Sequence, residues 1–249
     1  VADWQRDRFM LFEKFIPEPE VLQSLPVFPL PNVALFPGMV LPLQVFEPRY
    51  LALIDHVRET SPYFGVPMLR RDRRRLSNGQ PALEPVLGIG RLHNFEALED
   101  GRYLIQVLGV GRARTVGEHE TEHPFRMLEV ETLGEKDPAD HHAYAVLRAQ
   151  VERLGRACAR DQQEVLELLL SIDDPRIFLY TIAALLPTTQ ALVASTIGSQ
   201  AHMRRYAPLQ QACLTATNSD TRCEMLLEEI TRLLSTVQAA SQMPSRMMN

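Results

Sequence analysis

Leu25-Pro26-Val27-Phe28-Pro29-Leu30-Pro31-Asn32-Val33-Ala34-Leu35-Phe36-Pro37-Gly38-Met39-Val40-Leu41-Pro42-Leu43-Gln44-Val45-Phe46-Glu47-Pro48-Arg49-Tyr50 is the stretch that decides the fold of this chain. Two apolar runs, Leu25–Leu30 and Val40–Phe46, read as strands. The loop between them is stiffened by proline and closes in a turn at Pro37-Gly38. Prolines at 29, 31, 37 and 42 fix φ and remove backbone donors, so this strand pair must be irregular or lie at a sheet edge. Glu47-Pro48 then opens a helix, because a proline in the first turn gives up an N–H that has no partner there. Tyr50, Leu51, Ile54 and Val57 follow at three- and four-residue spacing and form one apolar face.

Outward from this stretch, the chain changes character near residue 137. Before it, further strands are expected at Tyr63–Arg70, Val86–Phe95, Tyr103–Leu108, Arg112–Val116 and Phe125–Leu133, with Asp100-Gly101 as a hairpin turn. Many short strands with one helix suggest a small closed or nearly closed β-barrel. After it, helical spacing dominates. Tyr144, Leu147, Val151 and Leu154 share a face, and Asp173-Asp174-Pro175 is a helix start. The helix Arg176–Leu186 is apolar almost all round, reads as the centre of a bundle, and is expected to end at Pro187. A last helix begins at Asn218-Ser219-Asp220-Thr221, with Thr221-x-x-Glu224 as its capping box. The expected architecture is α+β: an arm at 1–24, a barrel at 25–135, a helical domain at 138–236 and a frayed tail at 237–249.

Composition bounds the function. With 249 residues, 45% hydrophobic and 23% charged, the chain can bury a core. A net charge of −5 does not suit a protein built as a whole to wrap nucleic acid or lie on an anionic membrane. Cys158, Cys213 and Cys223 form no C-x-x-C pair and stand in helical stretches, so they are expected to be reduced and buried, which suits the cytoplasm. No uninterrupted run of ~18 apolar residues occurs, so no membrane span is expected.

The run from Leu25 to Tyr50 resembles the opening of the Lon protease substrate-binding domain family, whose first strands read F-P-L-x-x-x-V-L-F-P-G-x-x-L-P-L-x-I-F-E-P-R-Y. Gly109-Val110-Gly111-Arg112-Ala113-Arg114 resembles the family's G-x-x-R-A-R strand, and Pro124-Phe125-Arg126 with Leu128–Glu131 the strand after it. The likeness covers about residues 25–236. It implies a PUA-like β-barrel followed by a helical bundle, used in Lon to hold protein substrates for an attached motor. Two features depart from the pattern: the arm with Trp4, Phe9, Phe12 and Phe15, and residues 188–209, which read as an insertion. No G-x-x-x-x-G-K-[ST] phosphate loop occurs, and neither Lys14 nor Lys136 stands in anything like Lon's serine–lysine dyad, so a non-catalytic binding protein without cofactor is expected.

Three motifs compete with that reading. His119-Glu120-Thr121-Glu122-His123 matches H-E-x-x-H, but the zinc chemistry needs a helix, and Gly117 and Pro124 bracket the motif. Arg70-Arg71-Asp72-Arg73-Arg74-Arg75 is a basic cluster that could engage RNA phosphates, yet no aromatic residue interleaves with it for stacking. The pairs Gly88/Gly90 and Gly109/Gly111 lack a third glycine and a following helix, and read as bulges or barrel corners.

The expected site is the loop Phe36-Pro37-Gly38-Met39 together with Arg49. If Phe36, Pro37 and Met39 are exposed, they border a shallow apolar groove beside an edge strand, where extended polypeptide could pair. The resulting expectation is recognition of unfolded polypeptide or a partner protein, as in a quality-control adaptor. The alternatives are a scaffold or homodimer assembled through the arm and residues 188–209, and an RNA-binding protein of PUA type.

Overall fold

The computed structural model describes residues 15–72, 74–158, 163–197 and 206–242. Trp4, Phe9, Phe12, Arg73, part of the 188–209 segment and the end of the tail lie outside them. The chain divides into two compact units, residues 1–134 and 135–249.

The first unit contains α1 (Pro19–Gln23), β1 (Leu25–Val27), β2 (Val40–Val45), α2 (Pro48–Glu59), β3 (Tyr63–Val66), β4 (Val86–Ala97), β5 (Tyr103–His119) and β6 (Arg126–Thr132). The sequence suggested two strands at 103–108 and 112–116; they are one long strand, and its length is what closes the barrel. Residues 103–114 of β5 pair with β4, and residues 113–119 turn to pair with β6. Strand β6 pairs with β1, β1 runs parallel to β3, and β3 pairs with β4, which completes the ring. Strand β2 lies outside this ring, and among the described residues it is bonded to β5 alone. Pro42 therefore stands on an edge strand, where a missing donor is tolerated.

Helix α2 buries Tyr50, Leu53, Ile54 and Val57 in a core with Phe28, Phe64, Val66, Ile105 and Val107. A second cluster, built on Leu25, Val27, Leu87, Ile89 and Leu128, takes in Phe15 from the arm, whose ring also lies under the Arg91 guanidinium. The loop between β1 and β2 could lie exposed or fold back onto the barrel, and the structure takes the second course. Phe36 is 0% exposed, Pro37 is buried and Met39 is half-buried, so the loop is folded back onto the barrel. The strand glycines allow it. A Cβ at Gly88 would stand 2.1 Å from the Leu35 carbonyl oxygen, and one at Gly109 2.1 Å from that of Phe36. Hydrogen bonds from Gly38 N to Gly109 O (2.9 Å) and from Gly109 N to Met39 O (2.8 Å) hold the loop in this slot.

The second unit contains α3 (His141–Cys158), α4 (Gln163–Leu170), α5 (Pro175–Thr196), α6 (Ala207–Thr215) and α7 (Ser219–Ser241). Asp174 caps α5, accepting from Arg176 N and Ile177 N. Helix α5 is long and apolar enough to cross a bilayer by length and composition, but here Phe178, Leu179, Ile182, Ala183 and Leu186 are buried in the bundle. It does not end at Pro187 and runs on to Thr196. A proline inside a helix deprives the carbonyl four residues earlier of its donor, and here that carbonyl belongs to Ala183. The side chain of Gln210, 7% exposed on α6, supplies the replacement, donating Nε2 to Ala183 O at 3.1 Å and to Ala184 O at 3.4 Å. The cap of α7 also differs from expectation. Asn218 accepts from Thr221 N at 2.8 Å, so Thr221 is a recipient of the cap and not its source. The fully buried Arg222 fastens the α6–α7 turn, donating to Cys213 O and Ala216 O with its guanidinium over the Tyr180 ring.

Candidate functional site

A cleft of about 870 Å³ opens on the barrel unit. Its lining comes from four places: the end of β1 with the residues after it (27–31), the start of α2, the hairpin 69–81, and the end of β5 with the loop leading into β6. The apolar floor follows from the sequence. Phe28 and Tyr50 stack with centroids 4.1 Å apart, and Phe125 is buried beside them. Above it, Pro29, Leu30, Pro31 and Pro124 offer partly or fully exposed apolar surface. Pro29 and Pro31 have no N–H to give, and Leu30 N is already bound to Pro67 O (3.0 Å). This wall is thus rigid and poor in donors.

Polar groups fix the other walls. Arg126 donates twice to Glu118 (2.7 and 2.6 Å) and once to Pro81 O (2.8 Å). Side-chain exposures of 12% and 28% make this a half-buried, bidentate pair, the geometry in which such a pair has value. It ties the 69–81 hairpin to the end of β5. At the helix start, Arg49 pairs with Glu47 at 2.7 Å and lies over the Tyr50 ring at 4.5 Å, with half its side chain open to solvent. Glu47 makes no side-chain cap bond to the helix. Burial raises the Tyr50 phenol above its ordinary value against the opposing pull of Arg49, so it remains a neutral group.

The H-E-x-x-H motif borders this cleft in a geometry unlike a zinc protease's. His119 ends β5, and its Nε2 lies 2.7 Å from Gln23 O, which requires that nitrogen to donate. His123 sits in a non-helical loop, stacked on Phe125 at 4.8 Å and touching His56 of α2 at 4.8 Å. Among the described residues no group of three or more His, Cys, Asp or Glu could hold a metal ion. Burial first, and His123 second, lower the His56 pKa, with Glu59 opposing.

Of the four residues proposed from sequence, the structure brings only Arg49 to the cleft. Phe36, Pro37 and Met39 are not in its lining, and burial removes Phe36 and Pro37 as surface for a partner. Sequence reading weighed His123 only within the H-E-x-x-H motif and Arg126 only within a family-like strand, and gave Glu118 no site role, because these residues meet the 28–31 loop and the 69–81 hairpin only through barrel closure. One available signal was the Phe125-Arg126 pair inside a family-like strand.

Residues 24–192 match the model of the family described as the ATP-dependent protease La (LON) substrate-binding domain. The Lon protease of Roseiflexus castenholzii is 28% identical over 201 residues, covering 75% of this chain and 24% of that protein. Lon protease 2 of Myxococcus xanthus is 29% identical over 150 residues, covering 60% of this chain and 17% of that protein. The chain therefore spans a quarter or less of the length of these relatives. A crystal structure of a Lon N-terminal domain protein from Xanthomonas campestris superposes with a TM-score of 0.57 at 25% identity, over 82% of this chain and 97% of that one. The N-terminal domain of the Mycobacterium avium complex Lon protease gives the same TM-score at 16% identity, over 84% of this chain and 98% of that one, a likeness of fold alone.

Proposed function

The chain belongs to the Lon substrate-binding domain family, and from that premise we propose that its barrel cleft binds extended polypeptide. The observation that carries this reading is the cleft's make-up. It joins a proline-rich apolar wall and an aromatic floor to charged rims, on a scale within the usual range for ligand clefts. An unfolded segment offers matching chemistry, with apolar side chains for the floor and backbone polar groups for the rims. The edge of β2 is a weaker candidate for strand addition, since Pro42 removes one backbone donor there and prolines of this kind blunt an edge.

The test is a titration of a labelled, permanently unfolded polypeptide against the whole chain, followed by fluorescence anisotropy. Thr121→Trp places bulk at an exposed lining position without touching the core. Saturable binding that weakens at least tenfold in this variant is the expected outcome. A variant that binds as tightly as the parent refutes the cleft as the site. Leu168→Ser, in the helical unit, serves as the control that leaves binding unchanged.

A further inference from the structure

We infer that the cleft selects polypeptide segments that lay a lysine or arginine side chain on its proline wall beside an apolar residue, an inference that rests on the polypeptide reading above. The wall is a strand edge stripped of donors. Past β1 the chain stays bonded to β3 and the residues that follow it, with Phe28 N on Gly65 O (2.8 Å), Leu30 N on Pro67 O (3.0 Å) and Leu69 N on Leu30 O (3.0 Å). In an extended strand the backbone groups of successive residues point to alternate edges. Residues 28 and 30 are turned toward β3, so residue 29 faces the other edge. On that edge Val27 pairs with Arg126, the first residue of β6, and the pairing goes no further. Pro29 is thus left at an open edge that lines the cleft. It has no N–H, and its carbonyl oxygen accepts no hydrogen bond among the described residues. Pro31, also in the lining, has no N–H either.

An ordinary strand edge offers donors and acceptors in turn. This one offers acceptors only, so an added strand would bring carbonyls to an edge that gives them nothing. A lysine ammonium or an arginine guanidinium has donors and no acceptor, and is the kind of group such an edge satisfies in full. The charges of the lining agree. Glu47 and Arg49 pair with one another, as do Glu118 and Arg126, which leaves Glu120 as the lining charge without an ionic partner among the described residues. Its exposed carboxylate is a further acceptor. The hairpin arginines do not cancel this preference. Arg70 is paired with Asp72 (2.8 Å), Arg75 donates to Gly79 O (2.6 Å), and Arg70, Arg71, Arg74 and Arg75 all lie outside the lining. A carboxylate or a nucleic-acid phosphate, with acceptors only, meets acceptors on this wall.

The experiment titrates the whole chain against four labelled peptides that share an apolar centre and differ at one flanking position, which is Lys, norleucine, Gln or Glu. Low salt is chosen because exposed charges are screened within about 10 Å at 0.1 M. The Lys peptide should bind about five- to tenfold more tightly than the norleucine peptide, the effect of a few exposed charge-assisted contacts, with the Glu peptide weakest. Glu120→Gln should cut that ratio by about half or more. Pro29→Ala returns an N–H to the edge and should narrow the gap between the Lys and Glu peptides by about threefold; the ratio is read because loss of the proline ring weakens all four peptides alike. A Lys peptide that binds no more tightly than the norleucine peptide overturns the inference, and so does a preference that neither substitution moves. In either case binding of the norleucine peptide, lost in Thr121→Trp, leaves the polypeptide reading standing. No binding by any peptide overturns both. Displacement of the Lys peptide by a single-stranded RNA oligomer overturns the inference in favour of nucleic acid.

Discussion

Replacing Gln210 with methionine removes an amide while nearly keeping the side-chain volume, and so isolates the bond on which the continuity of α5 depends. Gln210 is 7% exposed and donates to Ala183 O at 3.1 Å, the carbonyl whose normal helical donor is absent because residue 187 is proline. Methionine leaves that carbonyl unpaired in the interior, at a cost of about 1–3 kcal/mol. Little cavity term is added, since the volume is conserved. The reasoning has a sharper consequence. In a Pro187→Ala background the new N–H of residue 187 can return to Ala183 O, and Pro187 is exposed, so its loss removes little packing. There the same Gln210→Met change should cost less than about 0.5 kcal/mol, a coupling of roughly 1–2 kcal/mol between two residues far apart in sequence. Urea unfolding of the four proteins, read by circular dichroism at a helical wavelength, gives the cycle. An equal cost of Gln210→Met in both backgrounds refutes the account, and so does a cost below 0.5 kcal/mol in the parent.

Gly109→Ala forces a Cβ to within 2.1 Å of the Phe36 carbonyl, whereas at Gly111 the nearest atom is Ile89 Cδ1 at 3.7 Å. The first substitution should destabilise the barrel by about 3 kcal/mol or more and the second by less than about 1 kcal/mol, as read from denaturation midpoints. His56 is held below its ordinary value by burial and by His123, so the unfolded chain takes up this proton at a higher pH than the folded one. Stability should therefore fall as pH drops through the usual histidine range, and His56→Phe should flatten that part of a melting-temperature profile. Burial pushes the thiols of Cys213 and Cys223 up to about 12 and about 11. At pH 8 a disulfide reagent should modify only the partly exposed Cys158 in the native protein, with the other two reacting on unfolding; rapid titration of all three would contradict this.

Most of the architecture is legible in the sequence. The two apolar runs around Pro37-Gly38, the Pro48 helix start and the Asp174-Pro175 cap are local signals, since each depends on φ restriction or on donors within a few residues. The apolar face of α3, with Leu147, Val151 and Leu154, followed from spacing alone. The cleft was legible only at Arg49. Its other members come from four separated segments, and no period or motif announces that Arg126 will reach Pro81 O across 45 positions.

Two places show where local reading stops. Phe36 in a Pro-Gly loop has the sequence of an exposed anchor, and a helix meeting Pro187 has the sequence of a helix that ends. The structure reverses both because a distant residue changes the local balance: Gly109 opens a slot for the Phe36 backbone, and Gln210 satisfies the carbonyl that proline orphans. The sequence by itself determined most of the elements, their order and the family likeness, which reside in backbone preference and hydrophobic period. Tertiary structure alone decided which loop is buried, which helix continues and which charges face one another, because burial and hydrogen-bond satisfaction are sums over neighbours that the chain brings together only by folding.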